Sequence, residues 1–412
     1  MKKVLIVAPF TQLPGEQGNN RSRFKRIAEM LSEKGYAVTV ATSRFRELDR
    51  TFRTDGEVYG SAPYRIVLLR EIGYSHNISL RRVRSMASFT QSLKRFLEAE
   101  TEPFDLVYSC VPGLDSALTA GRYAKSRGIP FVIDVQDLWP EAMVAMILDI
   151  PVISRLLFLP IRLKADRVYA MADGIMAVSK TYMDAAAGKN RKCRAKDYVF
   201  IGSDIDRIDA MPEEAPTGLE KPEDEFRIAY IGSLGHSYDI LTLLDGAQKA
   251  RDRGIPVRPV IIGSGPLEEE FREYARIIDS NAIFTGWVDH TLMQRHLAGS
   301  GAVINAIRKK APQSITNKVG DYLASGKPML NGSLNPELRD LLAEYRFGIN
   351  YDPEDPESLA SAIEALYLLD PAEREQMGHN GRRLAEEKFD RKMTYPKIVA
   401  MVDHLLEQGG KN

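Results

Sequence analysis

"MPEEAPTGLEKPEDEFRIAYIGSLG", Met211 to Gly235, changes character partway along. Met211–Glu225 is dense in Pro and Glu and has no apolar period, which is the composition of a linker. At Phe226 an apolar run begins, and glycines follow it, the pattern of a buried strand entering a tight turn. An alternating pattern that stops and then restarts marks two domains.

Working back from the break, strand-like runs alternate with helical patterns. "KVLIVAPF" precedes "RFKRIAEMLSEKGY", and "AVTVATS" follows it. Then come "FDLVYSCV", the helical "LDSALTAGRYAKSRG", "IPFVIDVQ", "DGIMAVS" and "DYVFIGS". Beyond the break the strands read "VRPVIIGSGP", "NAIFTGWV", "GAVINAI" and "KPMLNGS". This alternation implies parallel βαβ units. The expected fold is therefore α/β, with two doubly wound Rossmann-like domains at 1–205 and 226–391, a linker at 206–225, and ligands at the carboxyl ends of strands facing a central cleft. The closing segment, 392–412, holds the helical "YPKIVAMVDHLLEQ", whose apolar face is expected to pack back on the first domain.

Apolar content of 44% and charged content of 27% fit a soluble globular protein. Two cysteines, Cys110 and Cys193, make no disulfide framework and no zinc pattern, so a reducing, cytoplasmic compartment is expected. The start "MKKVLIVAPF" is too short in its apolar run for a signal peptide and reads as a first strand. "MVAMILDIPVISRLLFLPIRLK", Met143 to Lys164, is broken by prolines and charges. It reads as a buried helix pair, with an interfacial amphipathic segment as the alternative.

Net charge is zero but uneven: residues 1–200 carry 31 Lys and Arg against 21 Asp and Glu, and the rest of the chain carries the opposite excess. The clusters "RSRFKR", "RRVR" and "RKCRAK" are scattered and lack aromatic platforms, so nucleic acid is not the expected partner. An anionic membrane surface or a phosphorylated acceptor suits them.

The richest polar pattern is "QSITNKVGDYLASGKP", Gln313 to Pro328. Thr316 is placed to cap a short helix and Gly326 to close it in a left-handed conformation. Asn317 and Lys318 then fall in the first turn, where the helix dipole favours an anion. Asp321, three residues on, offers Lys318 an internal partner, but such a pair is worth only about 0.2–0.5 kcal/mol. A ligand anion explains the placement better. Glycine pairs after two strands, Gly232 with Gly235 and Gly263 with Gly265, allow close backbone approach to a phosphate or simply make tight turns. "PGEQGNNR", Pro14 to Arg21, is a donor-rich loop after the first strand. In "DVQDLWPEA", Asp134, Asp137 and Glu141 form an acidic group beside Trp139 and Pro140. Asp137 either orients a hydroxyl or acts as a base, or else caps the following helix while Trp139 fills the core. Asp204 and Asp206 form a DxD pattern, but at the linker edge they read as solvated acids, and no metal is expected.

In order and spacing, "DVQDLWPEA", "IAYIGSLGHSYDILTLLDGA", "IIGSGPLEEEF", "SITNKVGDYLASGKPML" and "FGINYDPEDPESLASAIEAL" resemble the retaining glycosyltransferases of family 4, and within them the bacterial capsule, O-antigen and exopolysaccharide branch. The resemblance implies the GT-B architecture and a metal-independent hexosyltransferase without a cofactor. A nucleotide-diphosphate sugar would be the donor, and a glycan or polyprenyl-diphosphate-linked acceptor would receive the sugar. It places Lys318 on the donor diphosphate, Asp321 on the ribose and Gln313 on the sugar, where the family usually has an acid. Gly18, Gly232, Ser233, Gly235, Gly265, Trp287, Ser314 and Asn317 complete the expected donor side. Asn19, Asn20, Asp137, Trp139 and Glu141 form the expected acceptor side, with Asp137 and Lys318 as the catalytic candidates. A peripheral site at the inner face of the membrane follows from the basic half. Two rival readings are a nucleotide-sugar epimerase and a catalytically silent sugar-nucleotide-binding scaffold, the second favoured by Gln313 and by the neutral loop "GSLGHSYD".

Overall fold

The computed structural model describes residues 1–16, 22–54, 62–76, 79–140, 157–211, 222, 224–311 and 315–409. Gly18, Asn19, Asn20, Glu141, Gln313 and Ser314 lie outside them, as does most of the Met143–Lys164 segment. The chain divides into two units, Met1–Val199 with Tyr395–Asn412, and Phe200–Thr394.

In the first unit, β1 (Lys3–Val7), β2 (Ala37–Ser43), β5 (Arg65–Leu69), β6 (Leu106–Val111), β7 (Phe131–Val135), β8 (Gly174–Ala177) and β9 (Ala195–Tyr198) form one sheet. Its order is β5-β2-β1-β6-β7-β8-β9, with every pairing parallel. A small antiparallel hairpin, β3 (Phe45–Arg46) with β4 (Thr51–Phe52), follows β2. Strands such as "KVLIV" and "LVYSCV" are apolar throughout because helices cover both faces of a parallel sheet. The helix α1 (Arg23–Glu33) buries Phe24, Ile27, Ala28 and Leu31 at helical spacing. The final helix, Pro396–Gly409, lays Ile398, Val402, Leu405 and Leu406 into the same core as Val4, Ile6, Val38 and Val40. Each such fully buried side chain contributes about 1.5–3 kcal/mol, enough to hold that helix on the first unit.

In the second unit, β10 (Phe226–Ile231), β11 (Val257–Ile262), β12 (Ile283–Gly286), β13 (Ala302–Asn305), β14 (Met329–Asn331) and β15 (Gly348–Asn350) form a parallel sheet of order β12-β11-β10-β13-β14-β15. The strand order reverses at β10/β13, as it does at β1/β6 in the first unit. These switch points open crevices at the carboxyl ends of the strands, where such sheets bind ligands.

The unit boundary differs from the expected one. Phe200–Ser203 belongs to the second unit, because the Phe200 ring stacks on Phe389 at 4.4 Å and Ser203 N–H donates to the Phe389 carbonyl. The expected linker at 206–225 also begins inside a helix, Ile205–Asp209, capped by the Asp204 carboxylate. In the described part of the Met143–Lys164 segment, Leu157, Leu159 and Leu163 are exposed, so these leucines are not the buried face expected of a helix pair. Among the described residues no helix is long and apolar enough to cross a membrane.

Candidate functional site

Lys318 lies in the first turn of the helix Asn317–Ala324, which follows β13, and it reaches across to the loop after β10. It thus sits at the switch point of the second sheet. Tyr322, one turn further on, fixes this placement: it is fully buried and its hydroxyl accepts the Ile231 N–H at 2.9 Å. The Lys318 ammonium donates to the Tyr230 hydroxyl at 2.7 Å, and that hydroxyl donates in turn to the Ser233 carbonyl at 2.7 Å. Nζ stands 3.4 Å from the Tyr238 ring centre and 4.3 Å from that of Tyr230. Among the described residues no carboxylate pairs with it. Burial pushes the Lys318 ammonium well below lysine's ordinary value. Burial raises the phenols of Tyr230 and Tyr238, so neither ring supplies a negative charge. The cation–π contacts return part of the lost solvation, about 0.5–2 kcal/mol.

Gly232 makes room for it. Its φ is +119°, and a Cβ there would lie 2.3 Å from Lys318 Cε. Gly263 and Gly265 have a different task, since a Cβ on either would strike the backbone of Gly232 or Leu234. The two glycine loops pack against each other, with Gly232 N–H donating to Ile262 and Leu234 N–H to Ser264. Gly265 is therefore a packing glycine, and the Gly232 and Leu234 donors are already engaged. Ser233 and His236 are exposed beside them, and nothing but the Ser233 hydroxyl lies near the Cβ position of Gly235.

Thr316 occupies the N-cap position but makes no side-chain cap, and its buried hydroxyl finds no partner among the described residues. The expected Thr316 cap is absent, and among the described residues no side chain closes this helix N-terminus. Asn317 is exposed there, and Gly326 closes the far end at φ +66° as expected.

Asp321 turns inward, away from Lys318. Its Oδ1 accepts the Ser203 hydroxyl at 2.8 Å and the Gln294 amide at 3.3 Å, with His290 Nε2 at 3.7 Å. Trp287 is exposed after β12, at the sheet edge, and has no ring contact with the lysine group.

In the first unit the structure separates the acidic group after β7. Strand alternation turns Asp134 into the core, where Oδ2 accepts Arg23 Nε at 2.8 Å and the Tyr108 hydroxyl at 2.6 Å. The Arg23 guanidinium also donates to the Val199 carbonyl at 2.9 Å and lies 5.2 Å from the Tyr395 ring centre. Asp134 is a structural acid, and Arg23, from the basic cluster "RSRFKR", is not a surface cation. Asp137 instead stands at the loop, accepting the Leu138 N–H, the Trp139 indole N–H and the Tyr182 hydroxyl at 3.0–3.3 Å. Burial raises its carboxyl, against these hydrogen bonds. A cavity of about 350 Å³ opens beside it, lined among others by Leu138, Trp139, Pro140, Tyr169 and Lys189. On the β1 loop, Arg53 clamps Glu16 and the carbonyl of Thr11, which anchors the approach to "QGNN".

Tyr230, Tyr238 and Ser203 were not among the expected site residues. A tyrosine in a strand is ordinary, and only its pairing with Lys318 across the switch point singles it out.

Residues 21–202 match the family described as glycosyl transferase 4-like domain, and residues 225–368 match glycosyl transferases group 1. No curated protein matches the sequence. Among solved structures, sucrose-phosphate synthase from Thermosynechococcus elongatus is 15% identical over 99% of this chain and 100% of its own, with a TM-score of 0.73. Anabaena HepE in complex with UDP is 14% identical over 98% of this chain and 100% of its own, with a TM-score of 0.67. WaaG, a glycosyltransferase involved in lipopolysaccharide biosynthesis, is 14% identical over 97% and 99%, with a TM-score of 0.65. At these identities the likeness establishes the shared GT-B fold. With domain matches on both units, the chain belongs to the glycosyltransferases of the family 4 type.

Proposed function

We propose that the protein transfers a hexosyl group, with retention of configuration and without a metal, from a nucleotide-diphosphate sugar to a glycan or polyprenyl-diphosphate-linked acceptor in capsule or O-antigen synthesis. The donor binds the second unit and the acceptor the first. The observation that carries this reading is Lys318, an ammonium with no carboxylate partner among the described residues, at the β10/β13 switch point and beside a helix N-terminus that Thr316 leaves uncapped. A diphosphate supplies the missing anion. When the sugar–oxygen bond breaks, negative charge grows on the leaving diphosphate, and a preorganised cation aimed at it lowers the barrier. The leaving phosphate oxygen takes the acceptor proton. Asp321, steadied by Ser203, holds the ribose, and Gln313 meets the sugar. Asp137, Trp139 and Glu141, with Asn19 and Asn20, form the acceptor side, where the cavity beside Trp139 offers an apolar surface. The protein works in the cytoplasm at the inner face of the membrane.

The test is a thermal-shift screen of nucleotide sugars, starting with UDP-glucose, since HepE structures hold UDP and UDP-glucose. A ligand at about 100 times its dissociation constant stabilises by about 2.7 kcal/mol. Transfer to an acceptor panel then follows. Binding without transfer, unrescued by Gln313→Glu, would instead establish the silent scaffold.

A further inference from the structure

Glu354 holds a backbone conformation that its side chain does not favour. It sits in a turn over Pro353 and Glu354, in the loop after β15, at φ +59°. A turn with proline first and a left-handed residue second ordinarily has glycine or asparagine in the second place. Strain of this kind persists where neighbours fix it, and it gathers at functional sites. The neighbours here are two other loops. The Glu354 N–H donates to the buried Asp239 carboxylate at 2.7 Å, at the end of the loop after β10. The Glu354 carboxylate accepts the Lys309 N–H at 3.1 Å and stands 3.7 Å from Arg308 Nε, both in the loop after β13. Glycine would satisfy the turn, so the carboxylate is what this position keeps.

Arg308 is the side chain that this carboxylate steadies. Its backbone N–H donates to the Ser237 carbonyl at 3.1 Å, and its neighbour Ile307 bridges Tyr238. Tyr238 is the ring that stands 3.4 Å from the Lys318 ammonium. Arg308 thus emerges one residue from the wall of the Lys318 site, at the carboxyl end of β13. Its side chain is 45% exposed, and Glu354 meets it only at Nε. Neither Nη group has a partner among the described residues. A guanidinium held at Nε still presents its end-on pair of Nη donors, a fork that fits a phosphate. Charge points the same way. A nucleoside diphosphate carries more than one negative charge, Lys318 supplies one cation, and the loop Gly232–Tyr238 contains no lysine or arginine.

We propose that Arg308 is a second donor-binding cation, which grips the diphosphate together with Lys318, and that Glu354 is the residue that positions it. This rests on the donor reading above.

Calorimetry of the full chain with UMP, UDP and UDP-glucose tests it. Arg308→Gln is expected to weaken UDP about tenfold and UMP less, and to flatten the salt dependence of UDP binding. Arg308→Lys keeps the charge, loses the fork and recovers part of the affinity. Removing a carboxylate near an anion would by charge alone tighten UDP. Glu354→Gly is expected to weaken it severalfold instead, although glycine fits the turn and denaturant unfolding finds the fold no less stable. In the Arg308→Gln background, Glu354→Gly no longer weakens binding, because its effect passes through the guanidinium. Lys249→Gln, at an exposed lysine in the last turn of the helix Ile240–Asp252, leaves binding unchanged. Equal UDP affinity in Arg308→Gln overturns the second cation. Unchanged or tighter binding in Glu354→Gly overturns the positioning role, as does the same loss with and without Arg308. If Glu354→Gly does not fold, the Arg308 variants, at an exposed side chain, decide. Failure of the wild type to bind UDP or UDP-glucose sinks the donor reading itself, whereas wild-type binding with an indifferent Arg308→Gln sinks this proposal alone.

Discussion

The Lys318 ammonium and the Asp321 carboxylate, three residues apart on one helix, turn to different neighbours. Nζ donates to the Tyr230 hydroxyl at 2.7 Å, while the Asp321 carboxylate takes the Ser203 hydroxyl at 2.8 Å. Had the two paired, the local charge would cancel. Because they do not, the cation stays directed at the loop after β10, and Asp321 ties the segment entering the second unit, through Ser203, to the helix that carries the lysine.

Lys318 should make diphosphate binding pH-dependent. In the free protein its folded value is depressed by burial, so the folded state binds fewer protons than the unfolded state between that depressed value and lysine's ordinary one. Stability of the free protein therefore rises with pH through this window and is lost as pH falls through the depressed value. Lys318→Met flattens the rise in urea titrations. A bound diphosphate favours the charged form, so UDP binding takes up a proton and weakens as pH rises through the same window. Calorimetry in buffers of different ionisation heat reads the uptake; its absence across the window would remove the buried-ammonium account.

Lys318→Ala should leave the fold intact and weaken UDP binding about 10- to 100-fold, the equivalent of a charge-assisted hydrogen bond of about 1.5–3 kcal/mol. Equal affinity in calorimetry would separate Lys318 from the donor.

Tyr238 should act through Lys318. Tyr238→Phe keeps the ring face and retains near-normal UDP affinity, whereas Tyr238→Leu removes the cation–π contact and shifts the pH profile of binding. A leucine variant with an unshifted profile would reduce Tyr238 to a core residue.

Gly232→Ala should behave like a lysine variant although it removes no polar group. The new Cβ collides with the Lys318 stem and forces an alanine to a φ of +119°. The expected result is a loss of UDP affinity on the order of tenfold or more, with β10 and its sheet retained by circular dichroism.

The Arg23–Asp134 pair should be a stability element of the first unit. Arg23→Met leaves a buried carboxylate with only Tyr108 and costs about 3–5 kcal/mol in denaturant unfolding. Arg23→Met with Asp134→Leu recovers most of that, because the buried charge is gone. UDP binding is unaffected in both.

Much of this was legible in the chain itself. Alternation of strand runs with helical periods, interrupted once by the Pro/Glu segment, determines two parallel α/β units, because a parallel strand needs a helical crossover and a sheet covered on both faces needs apolar strands. The positions of Lys318 at a helix start and Gly326 at its end were local signals too. What only the tertiary structure decided is which neighbours those residues meet. Strand order, set by non-local pairing, brings the loop after β10 beside the helix after β13, so Tyr230 and Tyr238, some eighty residues from Lys318, enclose it. The same pairing sends Asp134 inward to Arg23 while Asp137 stays at the loop. Spacing along one element is encoded locally, but the partner of a buried charge is chosen by whichever side chain the rest of the fold delivers to it.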